Sequence, residues 1–128
     1  MRLLLDTHTF LWFVEDNPDL SHTARTLIED AGNERWLSVA SPWEVAIKVA
    51  TGKLTLGRPV RDYFARYLPL AQTRLLPISL DHAGTVSTLP RHHGDPFDRL
   101  IISQAIIEDL VVVSIDTAFD AYPIARRW

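Results

Sequence analysis

Four carboxylates stand where apolar segments give way to helix starts or turns: Asp6 after Leu3-Leu4-Leu5, Glu44 in Ser41-Pro42-Trp43-Glu44, Asp98 in Asp95-Pro96-Phe97-Asp98-Arg99, and Asp116 after Val111-Val112-Val113-Ser114-Ile115. Each has an ordinary structural explanation. Asp6 and Asp116 can cap the segments that follow them, Ser41 with Glu44 fits a capping box, and Asp95-Pro96-Phe97-Asp98 orders a cap, a first-turn proline and a first-turn acid. Capping does not explain why all four fall at ends that a parallel sheet would bring together, where serine would serve as well, as it does at Ser21 and Ser79. In an open parallel sheet, ligands bind outside the carboxyl ends of the strands. Converging carboxylates call for a hard cation, Mg2+ or Mn2+, and such an ion activates water against a phosphodiester. The chemistry these residue types point to is that of a metal-dependent nuclease.

The elements that must position the acids follow from the apolar pattern. Leu3 to Leu5 reads as a short strand, and Thr7 to Val14 as a helix carrying Phe10, Leu11, Trp12 and Val14, stopped by Asn17-Pro18. Ser21 caps a second helix running to Asp30, and Trp36 to Val39 is the second strand. Ser41 opens a helix that Gly52 ends, and a further helix spans about Val60 to Leu70. Leu75 to Ile78 is a third strand, a short helix follows Ser79, and the polar segment Pro90-Arg91-His92-His93-Gly94 is a solvent-exposed loop. A helix runs from Pro96 to about Asp109, and Val111 to Ile115 is a β-branched run of the kind buried on both faces of a parallel sheet. Alternating strands and helices predict an α/β sandwich with right-handed crossovers.

At 128 residues and 47% hydrophobic, the chain is sized for a single domain, residues 1–128, with an apolar core. The absence of cysteine excludes a disulfide framework, a zinc ribbon and a thiol nucleophile, so any metal site must use oxygen and imidazole. Asp6 interrupts the first apolar residues, and no run approaches the roughly 20 residues needed to span a bilayer, so the expected location is cytoplasmic. The net charge of −3 runs against binding of nucleic acid by phosphate neutralisation alone. A nuclease of this charge would concentrate its acids at the metal and carry its cations on a rim, with Arg58, Arg61, Arg66, Arg74, Arg91, Arg99, Arg126 and Arg127 as candidates.

Four blocks together resemble PIN domains, specifically the VapC-type toxins of bacterial toxin-antitoxin pairs. They are Leu3-Leu4-Leu5-Asp6-Thr7-His8-Thr9-Phe10-Leu11-Trp12; Ser41-Pro42-Trp43-Glu44-Val45-Ala46-Ile47-Lys48; His93-Gly94-Asp95-Pro96-Phe97-Asp98-Arg99 with Leu100 to Ala105; and Val113-Ser114-Ile115-Asp116-Thr117-Ala118-Phe119-Asp120-Ala121-Tyr122. The resemblance runs nearly from end to end in the family's order. It implies a PIN-like three-layer α/β/α sandwich with a central, mainly parallel sheet, and an endoribonuclease that hydrolyses RNA. It matches Asp6, Glu44, Asp98 and Asp116 to the family's acidic quartet and puts Ser114 where the family carries a hydroxyl near the metal. It also implies a VapB-type antitoxin and a homodimer as partners.

Within the quartet, Asp6 and Asp98 are assigned as direct ligands, Asp116 as a ligand directly or through water, and Glu44 as an outer ligand or water-orienting base. Thr7, Ser114 and Asp120 are candidate accessory residues, Asp95 is the helix cap, and Lys48 is the helical ion-pair partner of Glu44. His92 and His93 are assigned to the exposed loop rather than to metal. Trp12, Phe13 and Val14 are contiguous apolar residues that one helix face cannot all bury, which fits either an interface with another chain or a helix buried on several sides within the monomer. The other three tryptophans, Trp36, Trp43 and Trp128, read as core or interface. Two other classes compete: a catalytically inactive PIN-like binding or regulatory module, which would have lost an acid, and a doubly wound magnesium phosphatase, which would carry an acid at position 8, where this chain has His8.

Overall fold

Residues 1–128 are described in a computed structural model. Five strands, β1 (Arg2–Leu5), β2 (Glu34–Ser38), β3 (Thr73–Leu76), β4 (Val111–Val113) and β5 (Arg126–Arg127), form one sheet in the order β3-β2-β1-β4-β5. Every neighbouring pair is parallel. β1 is the central strand, and Leu3, Leu4 and Leu5 are wholly buried because layers cover both faces of the sheet. Side chains alternate along a strand. Leu3 and Leu5 therefore join one core with Phe10, Val45 and Phe64, while Leu4 joins the other with Ile101, Ile102, Val112 and Phe119.

The first core is closed by α1 (Thr7–Val14), α2 (His22–Glu29), α3 (Ala40–Ala50) and α4 (Val60–Leu70). The second is closed by α6 (Pro96–Glu108), against which α5 (Leu80–Val86) packs. The result is a three-layer α/β/α sandwich: the alternation of elements predicts an α/β sandwich, and the resemblance implies its three layers. After β3 the chain crosses back to place β4 on the other side of β1, so the carboxyl ends of β1 and β4 flank the point where strand order reverses. Crevices form at such points.

Local chemistry sets the helix starts. Ser21 accepts from the Ala24 N–H at 3.0 Å, and Asp95 accepts from the Phe97 and Asp98 N–H groups at 2.8 and 3.2 Å, with Pro96 in the first turn where no amide is needed. At α5, Ser79 Oγ accepts the His82 N–H while His82 Nδ1 accepts the Ser79 N–H. Gly52, with φ of 75°, follows α3 in the left-handed conformation that glycine adopts without strain.

Several boundaries differ from the apolar pattern. β2 begins at Glu34 and ends at Ser38, and β3 spans Thr73–Leu76 rather than Leu75–Ile78, because charged and polar residues start both strands. Arg35 is buried among carbonyls: it donates to Ile28 O in the last turn of α2 and to Asp30 O and Gln72 O just past α2 and α4, at 2.9, 3.1 and 3.3 Å, where helices leave acceptors unpaired. β4 stops at Val113, whose carbonyl accepts the Asp6 N–H at 3.1 Å and Thr9 Oγ1 at 2.9 Å, and Ile115 beyond it is 51% exposed. The capping box expected of Ser41 and Glu44 is absent. α3 starts earlier, its cap position is Val39 with no side-chain bond, and Ser41 already lies inside the helix. β5 has two charged residues and no apolar signal.

Candidate active site

Asp6, Glu44, Asp98 and Asp116 line one cavity of about 350 Å³ at the carboxyl ends of β1 and β4. Asp6 is the first residue past β1 and caps α1. Glu44 lies in the second turn of α3, Asp98 in the first turn of α6, and Asp116 starts a 3-10 turn over Thr117–Ala121. Four elements separated in sequence thus deliver four carboxylates to one place. A larger cavity, about 420 Å³, lies at the opposite end of the sheet between the starts of β2 and β3 and the end of α4; Glu34 is its only carboxylate and is held by Arg2, so the converging carboxylates belong to the smaller one.

Three of the acids accept hydrogen bonds on both oxygens. Asp6 Oδ1 accepts the Thr7 N–H at 2.8 Å and Oδ2 accepts Ser114 Oγ at 2.7 Å. Glu44, almost fully buried, takes Thr7 Oγ1 at 2.7 Å on Oε1 and Lys48 Nζ at 3.0 Å on Oε2. Thr7 Oγ1 also lies 2.8 Å from Ser41 Oγ; having one proton, it gives that proton to the carboxylate, which can only accept. Asp116 Oδ1 accepts the Ala118 N–H at 2.9 Å, and the Asp116 N–H donates to Ser114 Oγ at 3.1 Å. Ser114 therefore touches two members of the quartet. Asp120 stands apart from the cavity, held by Arg126 at 2.8 and 3.0 Å, and that ion pair keeps its carboxyl below the usual range.

The electrostatics show a site short of positive charge. Burial pushes the Asp98 carboxyl up to about 7, with further upward pushes from Asp6, Asp95 and Glu44 that His93 only partly offsets. Asp6 is raised as well, by burial first and by repulsion from Glu44, against the lowering bonds from Ser114 and Thr7. Lys48 is the one lysine or arginine lining the cavity, and it is engaged with Glu44.

Sequence reasoning missed His93. Its Nε2 lies 3.0 Å from Asp98 Oδ2 and 3.4 Å from Asp116 Oδ2, and its side chain is 16% exposed rather than free in solvent. The loop that carries it is fixed by Arg99, expected on a surface rim but buried instead. Arg99 donates to Val86 O, Leu89 O, Pro90 O and His93 O at 3.0, 3.2, 3.0 and 3.4 Å. Tyr122 adds a second brace, accepting the His93 N–H and donating to Pro90 O, each at 2.9 Å. Nothing in the local sequence signals this; the available hint is an arginine inside an otherwise apolar helix face. Of the other rim candidates, Arg126 is paired with Asp120, Arg74 lies over Trp36, and Arg58 and Arg66 lie over Tyr67.

Aromatic side chains border the cavity. His8 and Trp12 line it, with ring centroids 5.8 Å apart, and Trp12 meets Trp128 at 5.9 Å. Trp43, 62% exposed, packs edge-on against Phe97 at 5.3 Å, each the immediate neighbour of a quartet acid.

The PIN domain family matches residues 3–125 of this chain. Ribonuclease VapC16 of Mycobacterium tuberculosis is 36% identical over 78 residues, which cover 61% of this chain and 52% of that protein, so the match spans about half of the curated relative's length. Among solved structures, VapBC2 from Rickettsia felis, bound to a DNA fragment from its promoter, superposes with a TM-score of 0.69 at 17% identity, over 99% of this chain and 98% of that one. FitAcB from Neisseria gonorrhoeae superposes with a TM-score of 0.64 at 20% identity, over 97% and 95%. At such identities the superpositions speak for the fold, and the family match over nearly the whole length speaks for descent: this chain belongs to the PIN domain family.

Proposed function

We propose that residues 1–128 form one PIN domain acting as a divalent-metal-dependent endoribonuclease, the toxin of a toxin-antitoxin pair working in the cytoplasm. The observation that carries this reading is the meeting of Asp6, Glu44, Asp98 and Asp116 in one cavity, with Asp98 and Asp6 both pushed toward the protonated form. Carboxylates packed this closely need a counter-charge. The donors are oxygens of the kind that hold Mg2+ or Mn2+, so the site fits such an ion, with Asp6, Asp98 and Asp116 to hold it. A bound ion of this kind supplies Lewis-acid polarisation of the phosphodiester and of the attacking water.

The chain's own residues do the rest. Ser114 and the Thr7 amide fix the carboxylate of Asp6, and the Ala118 amide fixes that of Asp116. Glu44, held between Thr7 and Lys48, would act as an outer ligand or as the base that orients a water and accepts its proton. Lys48 lines the same cavity, and its ammonium would be offered there to a phosphate oxygen. RNA as the substrate rests on the ribonuclease named among the relatives.

The antitoxin partner has support from VapBC2, which is a complex. A basic side chain inserted among the acids would block the site, and arginine suits this because its planar guanidinium bridges carboxylates and stays charged. The homodimer is supported by an apolar notch of about 240 Å³ formed by Phe13, Val14, Tyr67, Leu70 and Ala71, at whose edge Leu70 is 68% exposed. No helix is long and apolar enough to cross a membrane. The test is RNA cleavage by the purified protein before and after chelation. Activity lost to chelator and restored by Mn2+ or Mg2+ supports the reading, and activity indifferent to chelator contradicts it.

A further inference from the structure

His93 lies so close to Asp98 and Asp116 that it invites assignment as a third ligand: one ring nitrogen and a carboxylate oxygen from each acid fall within 4.8 Å of one another. The other ring nitrogen decides otherwise. His93 Nδ1 accepts the Asp95 backbone N–H at 3.2 Å. A nitrogen that accepts a hydrogen bond carries no proton, so in the neutral ring the proton sits on Nε2, the nitrogen facing the two acids. Nε2 is then a donor without a free lone pair and cannot ligate an ion unless Asp95 N–H is left without its acceptor. His82 shows the same arrangement elsewhere in the chain, its Nδ1 accepting the Ser79 N–H and its Nε2 lying 2.9 Å from Glu108 Oε1.

The support around His93 is built rather than incidental. Arg99 and Tyr122 hold the loop backbone on both sides of Pro90 and at His93 itself, and the ring rests 6.2 Å from Phe119, a wholly buried residue of the second core. Nε2 hydrogen-bonds Asp116 Oδ2 at 3.4 Å and lies 3.0 Å from Asp98 Oδ2.

We propose that His93 is a positioning residue of the carboxylate site: donating from Nε2 to Asp116 with the same nitrogen set against Asp98, it fixes the spacing and orientation of the two acids for a divalent ion, and it is not itself a ligand. This rests on the reading of the site as a divalent-metal centre. Groups that orient ligating carboxylates typically contribute about 10–100-fold to metal affinity. Loss of the donor leaves two like charges with nothing between them.

The experiment uses Mn2+ as the probe, with binding measured by titration calorimetry and the bound ion examined by electron spin-echo spectroscopy for coupling to nitrogen. The variants are His93→Ala, His93→Gln and Asp98→Asn, each checked for fold by circular dichroism. The expected result has three parts: wild type binds Mn2+ with no directly coordinated nitrogen in its spectrum, His93→Ala binds about 10–100-fold more weakly, and His93→Gln, whose amide still donates at that reach, recovers most of the affinity. A coordinated-nitrogen signal in wild type overturns the proposal, and this readout needs no variant to fold. Wild-type affinity in His93→Ala also overturns it while leaving the metal centre standing, since Asp98→Asn still loses binding. Absence of Mn2+ binding by wild type overturns the metal-centre reading and this proposal with it.

Discussion

Ser114 Oγ donates to Asp6 Oδ2 at 2.7 Å across 108 positions of sequence, tying the end of β4 to the end of β1. The same hydroxyl accepts the Asp116 N–H at 3.1 Å. One small side chain thus sets the distance between an acid that follows the first strand and one that follows the fourth. Ser114→Ala removes a charge-assisted bond in a buried setting and is expected to cost about 1.5–3 kcal/mol, measured by urea unfolding, and to weaken Mn2+ binding. Ser114→Thr keeps the hydroxyl and is expected to keep both. A Ser114→Ala protein as stable as wild type would show that Asp6 finds water in place of the hydroxyl.

The raised Asp98 carboxyl gives a pH dependence with a definite sign. In the unfolded chain an aspartate titrates at its ordinary value of 3.8, and in the fold Asp98 titrates at about 7. Between the two the native state holds a proton that the unfolded state has released, so this group's stabilisation is fully present below about 4 and is lost as pH rises through about 7. Asp6 is raised too and acts in the same direction. Metal-free protein is therefore expected to melt at a lower temperature at pH 7.5 than at pH 5.5, and Mn2+ is expected to reverse the loss. A melting temperature that rises from pH 5.5 to 7.5 without metal would contradict the electrostatic account.

Asp98→Asn separates ligand from cap. The α6 cap is Asp95, which accepts the Phe97 and Asp98 amides, so Asp98 is not needed to start the helix. Its neutralisation is expected to leave metal-free stability at pH 7 unchanged or higher while RNA cleavage is lost. Unfolding of the variant, with cleavage falling in proportion, would assign Asp98 a structural role.

Much of this was legible in the residues, and what was hidden has physical causes. The three leucines before Asp6 and the three valines before Ser114 announce buried parallel strands, and an acid directly after such a strand lands at the sheet's carboxyl edge. β5 and the starts of β2 and β3 were hidden because Arg126, Arg127, Glu34, Arg35, Thr73 and Arg74 carry no apolar signal; Arg35 is buried only because two helix ends supply its acceptors. The role of His93 was hidden for a similar reason. Its placement depends on Arg99 reaching back from α6 to four carbonyls of a loop, a tertiary contact that no local pattern encodes.

Arg99 itself is open to test. Arg99→Lys keeps the charge but cannot reach four carbonyls with one ammonium group. It is expected to lose on the order of 3 kcal/mol in urea unfolding, with Mn2+ affinity falling alongside because His93 rides on the clamped loop. Stability within about 0.5 kcal/mol of wild type, the range of an ordinary surface change, would remove the clamp from the account.

The antitoxin prediction follows from the same charges. If inhibition works by a basic side chain placed among the acids, Asp6→Asn is expected to weaken the complex by about tenfold or more, read from dissociation of the purified pair. Equal affinity, or an antitoxin footprint at the opposite end of the strands, would mean that inhibition takes another route.

The most direct measurement is cleavage of purified single-stranded RNA by the wild type beside Asp6→Asn, each with Mn2+ and with chelator. Cleavage is expected only by wild type and only with the ion, with both proteins folded by circular dichroism. Cleavage by a folded Asp6→Asn at the wild-type rate would contradict this expectation, because the carboxylates gathered in this cavity would then not be what breaks the phosphodiester.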